Sequence, residues 1–277
     1  MNKLKLKSSI QGFFEEDLGL GDLTSESIFS EKDYGYGEFI CKDDGIFCGT
    51  EVVEQGFKLL NDRISVDFTI KDSTEVKKGE KIALVEGPVL DLLMGERVIL
   101  NLLQRMSGIA TITKKAVGNL QGNHTKICDT RKTTPGLRMF EKYAVTCGGG
   151  YNHRFGLYDA VMIKDNHISA SGGIENAVKK VRERLGHTVK VEVETESTED
   201  VIAAVKAQAD IIMFDNRTPE EIFELLKLVP KGIVTEASGG ITLDNIGSYS
   251  LTNVDYISLG FLTHSVKALD ISFNIEV

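Results

Sequence analysis

Apolar positions change rhythm along this chain, and the change divides it. Val52, Val53, Gly56, Phe57 and Leu60 recur at helical spacing and predict a helix over 50–60. Val66, Phe68 and Ile70 then alternate with polar residues, as a half-buried strand does. Lys77-Lys78-Gly79-Glu80 turns the chain into a second strand over 81–86. Short β-like runs over 37–41 and 45–48 flank the turn at Asp43-Asp44-Gly45. A short helix over 10–18 ends before Gly19-Leu20-Gly21-Asp22, where Asp22 or Thr24 can cap the next segment. These elements predict an α+β open-sandwich domain with an antiparallel sheet over 1–105. A long amphipathic helix over 92–116 would lead out of it.

Beyond it the rhythm is different. Short apolar runs at 126–128, 160–163, 189–193, 210–214, 232–234 and 256–259 alternate with helical stretches at 173–185, 197–207 and 219–228. Strand–helix alternation predicts parallel βα units. A complete eightfold barrel takes about 250 residues, more than this part of the chain offers. A reduced α/β barrel of six or seven strands over 106–269 fits better. The strand-like tail 270–277 is expected to return to the N-terminal sheet.

Composition adds limits. With 42% hydrophobic and 26% charged residues in 277, the chain can bury an ordinary core, and nothing approaches the roughly 20 apolar residues of a membrane helix. The start, Met1-Asn2-Lys3-Leu4-Lys5-Leu6-Lys7, alternates without opening an apolar run and does not read as a secretory signal. Four cysteines are too few for a disulfide framework. Cys41 and Cys48 have no second pair at zinc spacing, so free thiols in the cytoplasm are expected. A net charge of −9 argues against nucleic-acid or anionic-membrane partners. The distribution says more: Arg97 to Lys164 carries eleven Lys/Arg against three Asp/Glu. That island is either a site for a small polyanion or a solvated basic face.

Position narrows the choice, because barrel chemistry sits at the C-terminal ends of strands. Thr130, Arg131 and Lys132 follow one predicted strand, and an adjacent Arg and Lys suit a dianion. His153 and Arg154 follow Gly148-Gly149-Gly150, a loop that either lets backbone approach a ligand or is a flexible tip. Lys164 closes an apolar run and would project into the barrel mouth, unless it pairs with Asp165. Glu194 and Asp215 close neighbouring strands, where they could hold Mg²⁺, bind sugar hydroxyls or neutralise the lysines. Ser238-Gly239-Gly240 and Ser258-Leu259-Gly260 end the last two strands, where barrels often cradle a phosphate on backbone N–H groups. Spacing alone leads to a polyanion-handling barrel.

The strings themselves go further. EDLGLGDLTS (16–25), GERVILNLLQRMSGIAT (95–111), DTRKTTPGLR (129–138), EKYAVTCGGGYNHRFGLYDAVMIKDNH (141–167), VEVET (191–195), FDN (214–216), EASGGI (236–241) and ISLGFLTHS (257–265) closely resemble the quinolinate phosphoribosyltransferases, in that family's order and through nearly the whole chain. The resemblance implies a Mg²⁺-dependent transferase that converts quinolinate and phosphoribosyl pyrophosphate to nicotinate mononucleotide, pyrophosphate and CO₂. It implies that Arg131, His153, Arg154 and Lys164 hold the two quinolinate carboxylates and that Lys132 reaches the phosphoribosyl side. Glu194 and Asp215 would bind ribose hydroxyls or metal, while Ser238, Gly239, Gly240 and Gly260 would take the 5′-phosphate. Lys132, Lys164, Glu194 and Asp215 are thereby the expected catalytic residues, with Thr130 beside them. Arg97 would come from the partner chain of a homodimer with shared sites, with hexamers as a further possibility. The alternatives are the related molybdenum-operon phosphoribosyltransferase-like proteins, which lack the IKDNH string, and a non-catalytic polyanion-binding barrel.

Overall fold

The computed structural model describes residues 1–276. The chain begins with α1 (Lys3–Leu18), α2 (Leu23–Ile28), β1 (Tyr34–Cys41), β2 (Gly45–Ile46), α3 (Thr50–Leu60), β3 (Ser65–Phe68), β4 (Glu75–Val76), β5 (Lys81–Pro88) and α4 (Val89–Gly118). Then come β6 (Lys126–Cys128), α5 (Arg138–Cys147), β7 (Val161–Ile163), α6 (Asp165–Ser171), α7 (Ile174–Arg182), β8 (Val191–Thr195), α8 (Thr198–Lys206) and β9 (Ile211–Asp215). Last are α9 (Pro219–Leu226), β10 (Val234–Ser238), α10 (Ile246–Ser250), β11 (Tyr256–Ser258), α11 (Phe261–His264) and β12 (Ile271–Glu276).

Two compact units share the chain. The first holds Met1–Lys114, Thr133–Gly149 and the stretch from Leu262 onward; the second holds Lys115–Lys132 and Gly150–Phe261. The first unit thus takes in a segment, including α5, that lies within the sequence expected for the barrel. Glu141 of α5, fully buried, ties it there by accepting from Arg105 Nε and Nη2 of α4 at 2.8 and 2.6 Å.

In the first unit a four-stranded antiparallel sheet runs β12-β1-β5-β3, so the C-terminal strand does pair with β1. Phe39 of β1, Phe57 of α3 and Phe273 of β12 meet with ring centroids 4.4 to 6.3 Å apart. Burying each such ring contributes roughly 1.5–3 kcal/mol. Helix α1 starts at Lys3 instead of residue 10, because Asn2 Oδ1 caps it by accepting from Lys5 N–H at 3.1 Å. The Lys/Leu alternation at the start concealed a buried stripe of Leu6, Ile10 and Phe14 at i, i+4, i+8. Asp22 caps α2 as expected, accepting from Thr24 and Ser25 N–H at 3.0 Å.

The second unit is a six-stranded reduced barrel. Its sheet is parallel throughout and runs β6-β11-β10-β9-β8-β7, so strands consecutive in sequence pair except across the β6/β7 seam. There Tyr151 forms a parallel bridge with Cys128, its N–H donating to Ile127 O at 2.8 Å. Strand β10 departs most from expectation. The apolar run ends at residue 234, yet the ladder continues to Ser238, placing Glu236 inside the strand and 3% exposed.

Candidate active site

The C-terminal strand ends of the second unit surround a cavity of about 420 Å³. Nine expected site residues line it: Thr130, Arg131, Lys132, His153, Arg154, Lys164, Glu194, Asp215 and Ser238. Met162, Met213 and Ser258 complete the lining. Gly239, Gly240 and Gly260 are not among the lining residues. Arg97 lies on α4 in the first unit, its side chain 61% exposed and its guanidinium 3.6 Å from Glu96.

Convergence of distant residues has a local cause at the seam. Asp129 follows β6 and is fully buried. Its Oδ1 accepts from His153 N–H at 2.9 Å and its Oδ2 from Asn152 Nδ2 at 2.6 Å, while its own N–H donates to Tyr151 O at 3.1 Å. One carboxylate therefore docks the 151–154 segment beside Arg131. Lys164 is set by the start of α6, where its N–H donates to His167 Nδ1 at 3.0 Å. Its ammonium pairs with Glu194 rather than with Asp165. Of the three glycines, Gly148 serves packing: a side chain there would meet Ala110 O at 2.5 Å, so the end of α5 lies against α4. Gly239 sits at φ +86°, and a Cβ on it would lie 2.1 Å from Asn216 Oδ1, so the turn after β10 requires glycine.

Cations gather on one side. Burial, and then the neighbouring Arg131 guanidinium, hold Arg154 below its ordinary pKa. Arg131 Nε is buried with no hydrogen-bond partner among the described residues. A buried donor left unpaired costs about 1–3 kcal/mol, and two neighbouring guanidiniums invite an anion between them.

Acids occupy two levels. Residues i and i+2 of a strand share a face, so Glu192 and Glu194 of β8 stack inside the barrel, as do Met213 and Asp215 of β9, and Glu236 and Ser238 of β10. At the mouth, burial raises the Glu194 pKa; Lys164 opposes the rise, and Asp215 and Glu192 add to it. Asp215 Oδ2 accepts from Asn216 Nδ2 at 2.8 Å. Below lie Glu192 and Glu236, both almost wholly buried. His153 Nε2 is 3.1 Å from Glu192 Oε2 and 3.6 Å from Glu236 Oε1. Because His153 Nδ1 accepts from Arg154 N–H at 2.8 Å, the proton on Nε2 points to Glu192. Both ring nitrogens thus have protein partners. Burial pushes the Glu236 carboxyl up to about 8, with the Glu192 charge adding to the rise and His153 opposing it. Ser258 Oγ donates to Glu236. The sequence reading missed Asp129, Glu192 and Glu236; alternation along VEVET was the signal available for Glu192.

The site's geometry has relatives. The N-terminal domain of quinolinate phosphoribosyl transferase matches residues 22–107 and the C-terminal domain matches 109–274. The chain belongs to this family. Within the family, it is 55% identical over its whole length to a Bacillus subtilis (strain 168) protein described as a "probable nicotinate-nucleotide pyrophosphorylase (carboxylating)", covering 96% of it. It is 40% identical to quinolinate phosphoribosyltransferase (decarboxylating) 2, mitochondrial, of Nicotiana glauca, with 98% of this chain and 82% of that protein covered. The crystal structure of NadC from Streptococcus pyogenes superposes with a TM-score of 0.96 at 37% identity, covering all of this chain and 98% of that one. The family fold is therefore the reduced barrel with its N-terminal α+β unit. Among the described residues no helix is long and apolar enough to cross a membrane.

Proposed function

We propose that this chain transfers the phosphoribosyl group of phosphoribosyl pyrophosphate to quinolinate with loss of CO₂, giving nicotinate mononucleotide and pyrophosphate. Family membership supports the reaction, and one observation ties it to this cavity: Arg131 and Arg154 are neighbours there, with a buried guanidinium N–H that no described residue pairs. Quinolinate is a dianion, and paired guanidiniums with Lys164 match its two carboxylates through charge-assisted hydrogen bonds. Thr130 lines the cavity beside this group; Lys132 reaches toward the phosphoribosyl side. His153 orients the Arg154 segment, its ring nitrogens being engaged.

The pyridine nitrogen attacks the anomeric carbon as pyrophosphate departs. Positive charge grows on the ribose ring, and Glu194 and Asp215 stabilise it from the mouth. Glu194, Asp215 and phosphate oxygens are hard donors that suit Mg²⁺. The desolvated Glu194 carboxylate already takes a cation, Lys164. Bound there, Mg²⁺ would neutralise the leaving diphosphate. Ser238, with the turn at Gly239 and Gly240 and the bend at Gly260, is the candidate seat of the 5′-phosphate. Once the ring nitrogen is quaternary, the adjacent carboxylate leaves as CO₂, and the electron pair left on the ring carbon, stabilised beside that positive charge, takes a proton from solvent. Four free cysteines fit a reducing cytoplasm.

Purified protein with both substrates and Mg²⁺ is expected to release CO₂ and form nicotinate mononucleotide. Turnover of plain nicotinate with none of quinolinate would overturn the reading. We further propose a homodimer in which Arg97 completes the partner's site. Mixing an Arg97→Ala chain with a Lys164→Ala chain, each inactive alone, should then restore about a quarter of wild-type activity, since half the dimers hold one intact site. No recovery despite shown subunit exchange would argue against sharing.

A further inference from the structure

The first unit holds a second cluster of ligating side chains that the proposed reaction does not use. Cys48 Sγ, Cys147 Sγ and a carboxylate oxygen of Asp72 lie within 4.8 Å of one another. Cys48 is fully buried just before α3, and its backbone is fixed by Ser107 Oγ, which accepts from its N–H at 3.0 Å. Cys147 is the last residue of α5 and is partly exposed. Asp72 is held on one side: its Oδ1 accepts from Gly49 N–H, Thr50 N–H and Thr50 Oγ1 at 2.8, 2.9 and 2.7 Å. Its Oδ2 accepts from Tyr143 Oη at 2.6 Å.

Electrostatics decide what such a place takes. The C-terminal end of α5 carries the negative pole of the helix, and Asp72 adds a full negative charge beside the thiols. Both disfavour an anionic reagent and favour a cation. Two sulfur ligands select a thiophilic metal over Mg²⁺. Tetrahedral Zn²⁺ keeps S and O donors at about 2.3 and 2.0–2.2 Å, hence roughly 3.5–3.8 Å from one another. Small side-chain adjustments bring the three to that spacing, and Tyr143 Oη or a water entering past Cys147 supplies the fourth position.

We propose that Cys48, Cys147 and Asp72 form a binding site for Zn²⁺ or a similar thiophilic divalent cation, separate from the cavity at the strand ends. Binding releases both thiol protons to the buffer and links the start of α3, the turn at Asp72 and the end of α5.

Co²⁺ is the probe, because thiolate ligands give it near-ultraviolet charge-transfer absorption that oxygen ligands at Glu194 and Asp215 do not. Reduced, metal-free protein titrated anaerobically should develop that absorption with one Co²⁺ per chain, and Zn²⁺ but not Mg²⁺ should bleach it. Cys147→Ser, at a partly exposed position, should keep its circular dichroism and lose about half of the absorption or more, with at least a tenfold weaker affinity. Tyr143→Phe, which frees Asp72 Oδ2, should retain it. The proposal is overturned if reduced wild-type protein shows no charge-transfer band, or if the band persists unchanged in Cys147→Ser. A Cys48–Cys147 disulfide found by mass spectrometry, with no Co²⁺ spectrum after its reduction, would also overturn it.

Discussion

Two pairs of carboxylates stand inside the same barrel, one pair above the other, and their surroundings give them opposite work. At the mouth, Glu194 pairs with Lys164 and opens on the cavity with Asp215. On the floor, Glu192 and Glu236 are sealed from water with one imidazole between them. The mouth acids face a cation and the open cavity, where a carboxylate can stabilise developing positive charge. Acids stacked without enough cations cannot both ionise, so one holds its proton. The floor therefore shapes the site through His153, whose Nδ1 fixes the backbone of Arg154, while the mouth is the part proposed to meet the substrates.

The largest expected effect falls on the cation side of the mouth. Arg131→Ala should lower kcat/KM for quinolinate by about 10²–10³-fold, the usual loss when a fixed donor to developing or bound charge is removed. Its melting temperature should move little, since Arg131 Nε has no partner to lose among the described residues. A loss below tenfold would break the division of labour between mouth and floor. Next comes Glu194→Gln, which keeps the shape and removes the charge. The Mg²⁺ concentration for half-maximal rate should rise about tenfold, with kcat falling more than KM for quinolinate changes. An unchanged Mg²⁺ requirement would take Glu194 out of the metal's reach.

The smallest effect, and the one that sharpens the floor, is on stability. Glu236 is raised from 4.5 to about 8 in the folded protein. The folded state thus keeps a proton that the unfolded chain has released, and stability falls as pH rises from about 4.5 to about 8, then levels. Glu236→Gln should remove this slope. Its melting temperature relative to wild type should climb steadily between pH 5 and pH 8 and then hold. Parallel pH profiles for the two proteins would show that Glu236 is an ordinary carboxylate.

Much of the mouth was legible because its residues follow short apolar runs directly. Lys126–Cys128 is a strand with the bounds the pattern predicts, and Arg131 and Lys132 come soon after it. The floor was hidden for the same reason in reverse. Thr235-Glu236 breaks the apolar run, so the pattern ends a strand that the ladder to β9 in fact carries to Ser238. Helix α5 escaped the pattern too. Phe140, Ala144 and Val145 give it an apolar face, but the face is set against partners far along the chain.

The chemistry available and its approximate address are therefore written along the chain: cations and acids at strand ends, glycine where the turn after β10 demands a left-handed backbone, and an alternation that makes the parallel sheet. Those are local properties of periodicity and backbone sterics. Which groups lose water and which acquire a neighbour depends on how the chain packs in three dimensions. That packing placed Glu236 beside Glu192, put Asp129 under the 151–154 segment, and carried Cys147 to Cys48. Desolvation and Coulomb interactions depend on distance in space rather than along the chain.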